Sequence, residues 1–484
     1  MGGVRSFLLA VFAGLALAAC GSSSPASSPL GSSLSYFPKD SPFVVSVTTA
    51  PQASAVKSAQ AMLARIPFAN FGQAALMSRL QQIGVNYDTD IRPLFGNPLV
   101  FGLVGSGSAG QQAVVVWVTK DAGTLSSLIK KLQFRASGRH GGATLYQASN
   151  FTLAVAGATL IGGESPAVVD AAIDRHASGS GMSAALYDSE LGSLPRNGLV
   201  EAAGNLTSVL ASSARTSKAL SIPWVGALRG YGVAITAGSG GLSFRYTLDT
   251  SGKPLNADEL PIAPGSSPPG LAGSMPIQVG LRQPAATLAF VLQAERLTAP
   301  AKYAADVAEM NAVRRRTGVD FQRDILGQMG NSAAVESTGH GFIARVDVND
   351  PAAATQTLRK LGTSALGVFG THPGAHVTSG PAGFEAVHTP HSPTILFGIV
   401  GSEFVVGTAT PAQLRAFAAA PAAAATGAQG AVAFRIALPQ LIQLTLHHPV
   451  SGTVRQVLSV LGDITGWVSA SPSALSGNAT LAVK

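Results

Sequence analysis

The chain has 484 residues, 46% of them hydrophobic and 12% charged, with a formal net charge of +8 and one cysteine. The apolar content excludes a disordered chain, and the length suits two domains of roughly 200 residues better than one core. Charges at about half the usual ~25% leave a surface built on small neutral side chains, and the basic residues are scattered apart from Arg314, Arg315 and Arg316, so the balance argues against nucleic acid and for weak attraction to anionic headgroups.

At the N-terminus, residues 1–5 are basic, residues 7–17 are apolar without an acidic side chain, and small residues lead to Cys20. This is the layout of a secretory signal peptide. Its apolar run is shorter than the roughly 20 residues of a bilayer span. Leu17-Ala18-Ala19-Cys20 resembles the lipobox of bacterial lipoproteins. The resemblance implies cleavage after residue 19, with Leu17, Ala18 and Ala19 read by the signal peptidase and a diacylglyceryl group on the Cys20 thiol. Two acyl chains hold a protein on a membrane where one binds marginally. The alternative is an ordinary cleaved signal with an accidental cysteine. Residues 20–33, rich in serine, read as a flexible tether. The mature chain then has no thiol free for a disulfide, and packing must hold it together.

Beyond the tether, residues 43–51 form a strand ending at Pro51, and two helical stretches follow. The block "IGVNYDTDIRPLFGN" at 83–97 precedes strands over 99–104 and 113–119. Asp121 is placed to cap a helix with Leu125, Leu128, Ile129 and Leu132 on one face. A hairpin follows over 144–147, 152–156 and 159–163, then a helix entered through Ser165-Pro166, then a strand pair over 232–237 and 242–249. Residues 251–274, rich in Pro, Gly and Ser, read as a linker.

The order then repeats. "TGVDFQRDILGQMGN" at 317–331 matches the first block at Gly84/Gly318, Val85/Val319, Asp90/Asp324, Ile91/Ile325, Gly96/Gly330 and Asn97/Asn331. A strand over 277–284 ending in Pro284 precedes this block, strands over 333–337 and 342–348 follow it, with Asp350-Pro351 in the place of Asp121, strands over 384–388, 394–400 and 403–407, Thr410-Pro411 in the place of Ser165-Pro166, and a closing pair over 466–470 and 479–483. The alanine-rich stretch 418–425 reads as a helix end plus loop. Hairpins with helices between them imply an α+β fold: two homologous copies, 34–250 and 275–484, each a mainly antiparallel sheet with helices packed on it. "SYFPKDSPFVVSV" at 35–47, "DTDIRPLFGN" at 88–97 and "VVVWVTKDAGTLSSLIKKL" at 114–132 resemble the exported bacterial domain-of-unknown-function family numbered 3352. The second copy's opening, "LAGSMPIQV", lacks the acidic turn residue. The resemblance implies no established activity and carries over no catalytic residues.

Several motifs imitate sites. Residues 105–110 fit G-x-G-x-x-G, but a further strand follows where a dinucleotide site needs a helix, so the stretch reads as a hairpin loop. Ser54-x-x-Lys57 and Ser127-x-x-Lys130 lack the partner motifs of penicillin-recognising enzymes and read as polar helix faces. Six of nine histidines lie beyond residue 370; His372, His376, His388 and His391 flank turns without well-placed carboxylates, and they and the His447-His448 pair read as solvated loop residues rather than metal ligands. Asp90, Asp324, Asn97 and Asn331 read as caps or turn formers.

No cofactor or metal is expected. The reading is a non-enzymatic binding or scaffolding lipoprotein on the extracytoplasmic face of the cell membrane. Its partners are membrane lipid through acylated Cys20 and a hydrophobic ligand or envelope protein, the ligand lying in an apolar groove. The alternatives are a solute-binding lipoprotein serving a transporter and an envelope hydrolase.

Overall fold

The computed structural model describes residues 28–66, 69–104, 112–148, 151–196, 198–211, 214–250, 253–339, 341–362, 375–390, 392–424, 427–445 and 452–484. Leu17, Ala18, Ala19, Cys20, most of the tether, the 105–110 loop, His372, His391, His447 and His448 lie outside the described residues. The fold is α+β, 39% helical and 34% strand, which excludes a pure class. All named strands but two short ones join one antiparallel sheet.

The first ten strands are β1 Phe43–Val47, β2 Leu99–Val104, β3 Gln112–Val118, β4 Ala136–His140, β5 Ala143–Ala148, β6 Phe151–Ala156, β7 Thr159–Gly163, β8 Val200–Asn205, β9 Gly230–Gly238 and β10 Gly241–Asp249. Their order across the sheet is β4-β5-β6-β7-β3-β2-β1-β8-β9-β10. The next ten are β11 Ile277–Arg282, β12 Met329–Ser337, β13 Phe342–Val348, β14 His376–Ser379, β15 Glu385–His388, β16 Ile395–Val400, β17 Glu403–Gly407, β18 Val432–Ile436, β19 Leu461–Ser471 and β20 Ala474–Val483. They run β14-β15-β16-β17-β13-β12-β11-β18-β19-β20. The two halves meet where β10 pairs with β20, from Gly241 opposite Ala482 to Asp249 opposite Ala474.

Helices cover both faces because alternate side chains of each strand are apolar on each. In the first half, Val44, Val100, Val114 and Val116 are buried with Leu34, Val169, Ala172, Tyr187 and Leu191 of the helices Pro29–Leu34, Pro166–Ala177 and Ala184–Leu191. On the opposite face, Leu99, Trp117, Leu153 and Leu160 pack with Leu125, Leu128 and Ile129 of the helix Ala122–Lys131. In the second half, Ala334, Ile343 and Val405 lie under Leu414 and Phe417 of the helix Pro411–Ala419, while Leu361, Val319 and Phe397 form the other core.

The expected caps form. Asp121 accepts from Thr124 N at 2.9 Å, and Asp350 accepts from Ala352 N and Ala353 N at 2.9 and 3.0 Å. Ser165 makes no such bond, whereas Thr410 and Gln413 form a reciprocal capping box. Each repeated block folds as a wide helical turn, Tyr87–Ile91 or Phe321–Ile325, and then a tight one, Arg92–Leu94 or Leu326–Gln328. Asp90 Oδ2 accepts from Asn86 N at 2.7 Å, and Asp324 Oδ2 accepts from Asp320 N at 2.8 Å. Both aspartates tie the turn to its own entry. Asn97 Nδ2 donates to Val118 O at 3.0 Å, and the Asn331 carbonyl accepts from Gln283 N at 2.9 Å.

Three expectations change. Residues 29–33, placed in the tether, belong to the helix Pro29–Leu34: Ser28 accepts from Gly31 N, Pro29 opens the first turn, and Ser33 and Leu34 are buried. The linker is packed rather than free. Leu255 and Leu260 are buried against Ala227, Ala470 and Leu475 at the seam, and Gly270–Leu271 pairs with Ala423–Ala424, so the alanine-rich stretch contributes a short strand. Four strands were not anticipated: β4 and β14 at the edges, whose residues are mostly polar, and β8 and β18, which pair with β1 and β11 inside the sheet. β8, "VEAAGN", carries almost none of the β-branched or aromatic residues by which a strand is recognised.

Candidate functional site

A cavity of about 120 Å³ lies in the second half between the sheet and the helix Pro351–Leu361. β13 contributes Val346 and Val348, β16 and β17 contribute Ile399 and Phe404, and the helix contributes Ala354, Thr357, Leu358 and Leu361. Ile325, Gln328 and Met329 close it from the repeated turn, with Asp324 beside them. The walls are mostly apolar. The cavity opens to solvent, since Val346, Leu358, Ile399 and Phe404 among its lining residues are half-buried rather than buried.

The corresponding place in the first half is solid. Trp117 pairs with Leu160 across β3 and β7 as Val346 pairs with Phe404 across β13 and β17. Counting from the capping aspartates, Leu125 and Leu128 stand where Ala354 and Thr357 stand, and in the tight turns Leu94 and Phe95 stand where Gln328 and Met329 stand. Leu94, Phe95, Trp117, Leu125 and Leu128 are all buried in one core, with the Phe95 and Trp117 rings 5.3 Å apart. The second half has smaller or polar side chains at these places, and the space they leave is the cavity.

Three polar residues line this space, Thr357 on the helix and Asp324 and Gln328 on the turn. Gln328 Oε1 itself is sealed off and has no hydrogen-bond partner among the described residues. Its backbone is held firmly, because Gln328 O accepts from Asn349 N at 2.8 Å and Asn349 Nδ2 donates to Gly327 O and Met329 O at 3.1 Å. Asp324 is gripped in a bidentate pair by Arg323 Nε and Nη2 at 2.7 and 2.8 Å. That guanidinium holds the carboxyl down at about 2, with the Asp320 amide and Lys360 adding to the effect, so the group is ionised but its charge is locally matched.

The other face of the second half buries charge. Arg345 is 8% exposed and donates from Nη1 to the carbonyls of Phe417, Ala418 and Ala420, closing the C-terminal end of the helix Pro411–Ala419. Glu336 Oε2 accepts from Ser274 N and Met275 N at 2.6 and 2.9 Å, anchoring the end of the linker. Asp347 and Glu403 stand directly opposite on β13 and β17.

The motifs weighed in the sequence fall out separately. Ser54, Lys57, Ser127 and Lys130 are all exposed. Strands β2 and β3 pair from Val104 opposite Gln112, so the 105–110 stretch joins two antiparallel strands. His376 and His388, expected as solvated loop residues, are cross-strand partners on β14 and β15 with rings 5.1 Å apart. His388 bonds to Thr378 Oγ1 and Thr394 Oγ1 at 3.0 and 3.2 Å. No group of three or more potential metal ligands occurs among the described residues. No helix among them is long and apolar enough to cross a membrane. The cavity itself was not anticipated. Its signal lay in the two halves of the sequence: Trp117, Leu125 and Leu128 in the first against Val346, Ala354 and Thr357 in the second.

No family model matches the chain, and no characterised protein matches it in sequence. Among solved structures, crystal form III of TP0453 is similar at a TM-score of 0.27 and 7% identity, over 46% of this chain and 81% of that one. Crystal form I of the same protein gives 0.27 and 8%, over 48% and 83%.

Proposed function

We propose that the chain is a lipid-anchored binding lipoprotein of the cell envelope, non-enzymatic, held by Cys20 on the extracytoplasmic face of the membrane. Its body is two copies of one α+β unit, 34–250 and 275–484, of the kind the family numbered 3352 resembles. The common strand order on either side of the β10–β20 seam and the paired aspartates of the repeated turn support the duplication. In this reading one copy is the packed scaffold and the other holds a hydrophobic ligand.

The observation that carries the binding role is the apolar cavity where the first half has a packed core. A ligand seated there would bury apolar side chains that the pocket leaves half-exposed, at about 25 cal/mol per Å² of apolar surface removed from water. A solute-binding protein of a transporter would ordinarily have parallel α/β lobes, whereas the strand pairings of this sheet are antiparallel.

The test is the protein purified from membranes of its native host and extracted for mass spectrometry, alongside Cys20→Ser. The wild type should sediment with membranes, carry a diacylglyceryl-modified N-terminal peptide and yield a co-purifying amphiphile. The variant should appear in the soluble or secreted fraction. An unmodified Cys20, or extracts with no amphiphile, would sink the corresponding half of the reading.

A further inference from the structure

We infer that the pocket beneath the helix Pro351–Leu361 takes a single-chain amphiphile with an anionic head group, a carboxylate or a phosphate, and that Lys360 beside it is the cation that reads the head. This deepens the binding role proposed above and rests on it.

The chain follows from the walls. Val346, Leu358, Ile399 and Phe404 are only half-buried, so they leave apolar surface for a guest to cover, and about 120 Å³ has room for part of one chain. The head follows from a charge that the first half pairs and the second half releases. Counting from the capping aspartates, Lys131 and Lys360 hold the same place near the ends of their helices, and Asp90 and Asp324 hold the same place in the repeated turn. Lys131 is ion-paired with Asp90. In the second half Arg323, where the first half has Thr89, takes Asp324 in the bidentate pair, and Arg314 takes Asp320 at 3.0 Å. Lys360 is left exposed and without an ion pair among the described residues, yet near enough for its ammonium to act on the Asp324 carboxyl. Arg323 spends Nε and Nη2 on Asp324, and its side chain is 71% exposed, which leaves Nη1 open to solvent. Two cations therefore stand by Asp324, the one acidic residue among those lining the pocket, and the surplus charge is positive. Asp347 and Glu403 alternate with Val346 and Phe404 along their strands and lie on the other face of the sheet. The two changes fall in one place: where leucines fill the core the lysine is paired, and where the pocket is open the lysine is free. An anionic head meets that surplus while its chain covers the apolar walls.

The consequence is a preference for anionic chains over neutral and cationic ones of the same length. The test uses the full mature chain titrated calorimetrically with decanoate, decyl phosphate, 1-decanol and decyltrimethylammonium, each below its micelle concentration. The tighter of the two anions should bind about fivefold more tightly than the alcohol, the gain an exposed charge pair allows, and the ammonium should bind more weakly than either. High salt should shrink that preference. Lys360→Gln should bring the anions to the level of the alcohol and leave alcohol binding unchanged, whereas Lys360→Arg should keep the preference. Ala354→Leu/Thr357→Leu, which installs the side chains of Leu125 and Leu128, should lose binding of all four probes and melt at a higher temperature, so lost binding cannot be put down to misfolding. Equal affinities for anions and alcohol, or a preference that survives Lys360→Gln, would overturn the head-group assignment and leave the binding role standing. If no probe binds while the protein from native membranes carries an amphiphile, the binding role stands and this site falls. If no probe binds and no amphiphile is carried, both fall.

Discussion

Arg345 Nη1 donates to the carbonyl of Phe417 at 2.7 Å, so a cation on a central strand terminates the helix that covers it. The same nitrogen reaches Ala418 O and Ala420 O at 2.9 and 2.8 Å, and the guanidinium lies over the Phe417 ring at 5.4 Å. Arg345→Met keeps much of the bulk but strips three buried carbonyls of their donor. Each such group costs about 1–3 kcal/mol, so a loss of about 3 kcal/mol or more is expected, seen as a lower urea midpoint with an unchanged slope. A midpoint at the wild-type value would remove Arg345 from the account of stability.

Asp347 and Glu403 face each other across β13 and β17, where the first half has Val118 and Thr159. Burial, first, and then the Asp347 charge push the Glu403 carboxyl up to about 7, against a smaller opposing pull from Arg345. Between the ordinary glutamate value near 4.3 and about 7, the folded chain keeps a proton that the unfolded chain has released. Stability contributed by this proton is therefore complete at pH 4 and lost as pH rises through 7. The melting temperature should fall between pH 5 and 7.5, and Glu403→Gln should flatten that fall and leave the protein more stable at pH 8.

The pocket makes an opposite prediction about stability. Ala354→Leu restores the side chain that Leu125 supplies in the first half and should stabilise by about 1 kcal/mol. Leu125→Ala, made in the solid core, should cost about 2–5 kcal/mol. Thermal melts of both variants compare the two halves in one protein. A destabilised Ala354→Leu would mean that the space is not free to be filled.

Asp324→Ala and Asp90→Ala should each cost about 1 kcal/mol, the usual worth of a cap, because each carboxylate holds the entry of its turn. The Arg323 pair depresses Asp324 to about 2, and the Lys131 ammonium lowers Asp90 in the same direction. Stability from these groups is present above the ordinary aspartate range near 4 and lost as pH falls toward 2. The difference between wild type and Asp324→Ala, read by urea denaturation, should therefore shrink at pH 3 relative to pH 6. A constant difference would contradict the ionised carboxylate as its source.

At the seam, a Cβ on Gly477 would come within 2.5 Å of the Tyr246 ring, which lies over it from the paired strand. Gly477→Val should displace that ring and weaken the join between the halves by about 1–3 kcal/mol. The readout is a lower melting temperature, or two separate transitions in calorimetry. A single unshifted transition would show that the seam does not depend on this contact.

Features set within a few residues were legible in the sequence. Asp121, Asp350 and Thr410 cap helices as expected, and Asp90 and Asp324 close turns, because a side chain reaching a backbone amide three or four residues away depends only on local spacing. The antiparallel character was legible for a similar reason, since alternation and turn residues lie within each hairpin. The composition of β8 hid it, since a strand paired on both sides draws its stability from its neighbours. The linker looked free because proline and glycine mark it, yet Leu255 and Leu260 found a surface that exists only once β10 and β20 are joined.

By itself the sequence determined the helix caps, the hairpins and the repeated turn, all of which rest on neighbouring residues. Only the tertiary structure decided that the two halves share one sheet, that His376 and His388 stand side by side, and that Val346 of the strand lines one pocket with Ala354 and Thr357 of the helix. A cavity is the difference between the volume that strands and helices enclose and the volume of the side chains sent into it, and that difference exists only after elements far apart in the chain have been brought together.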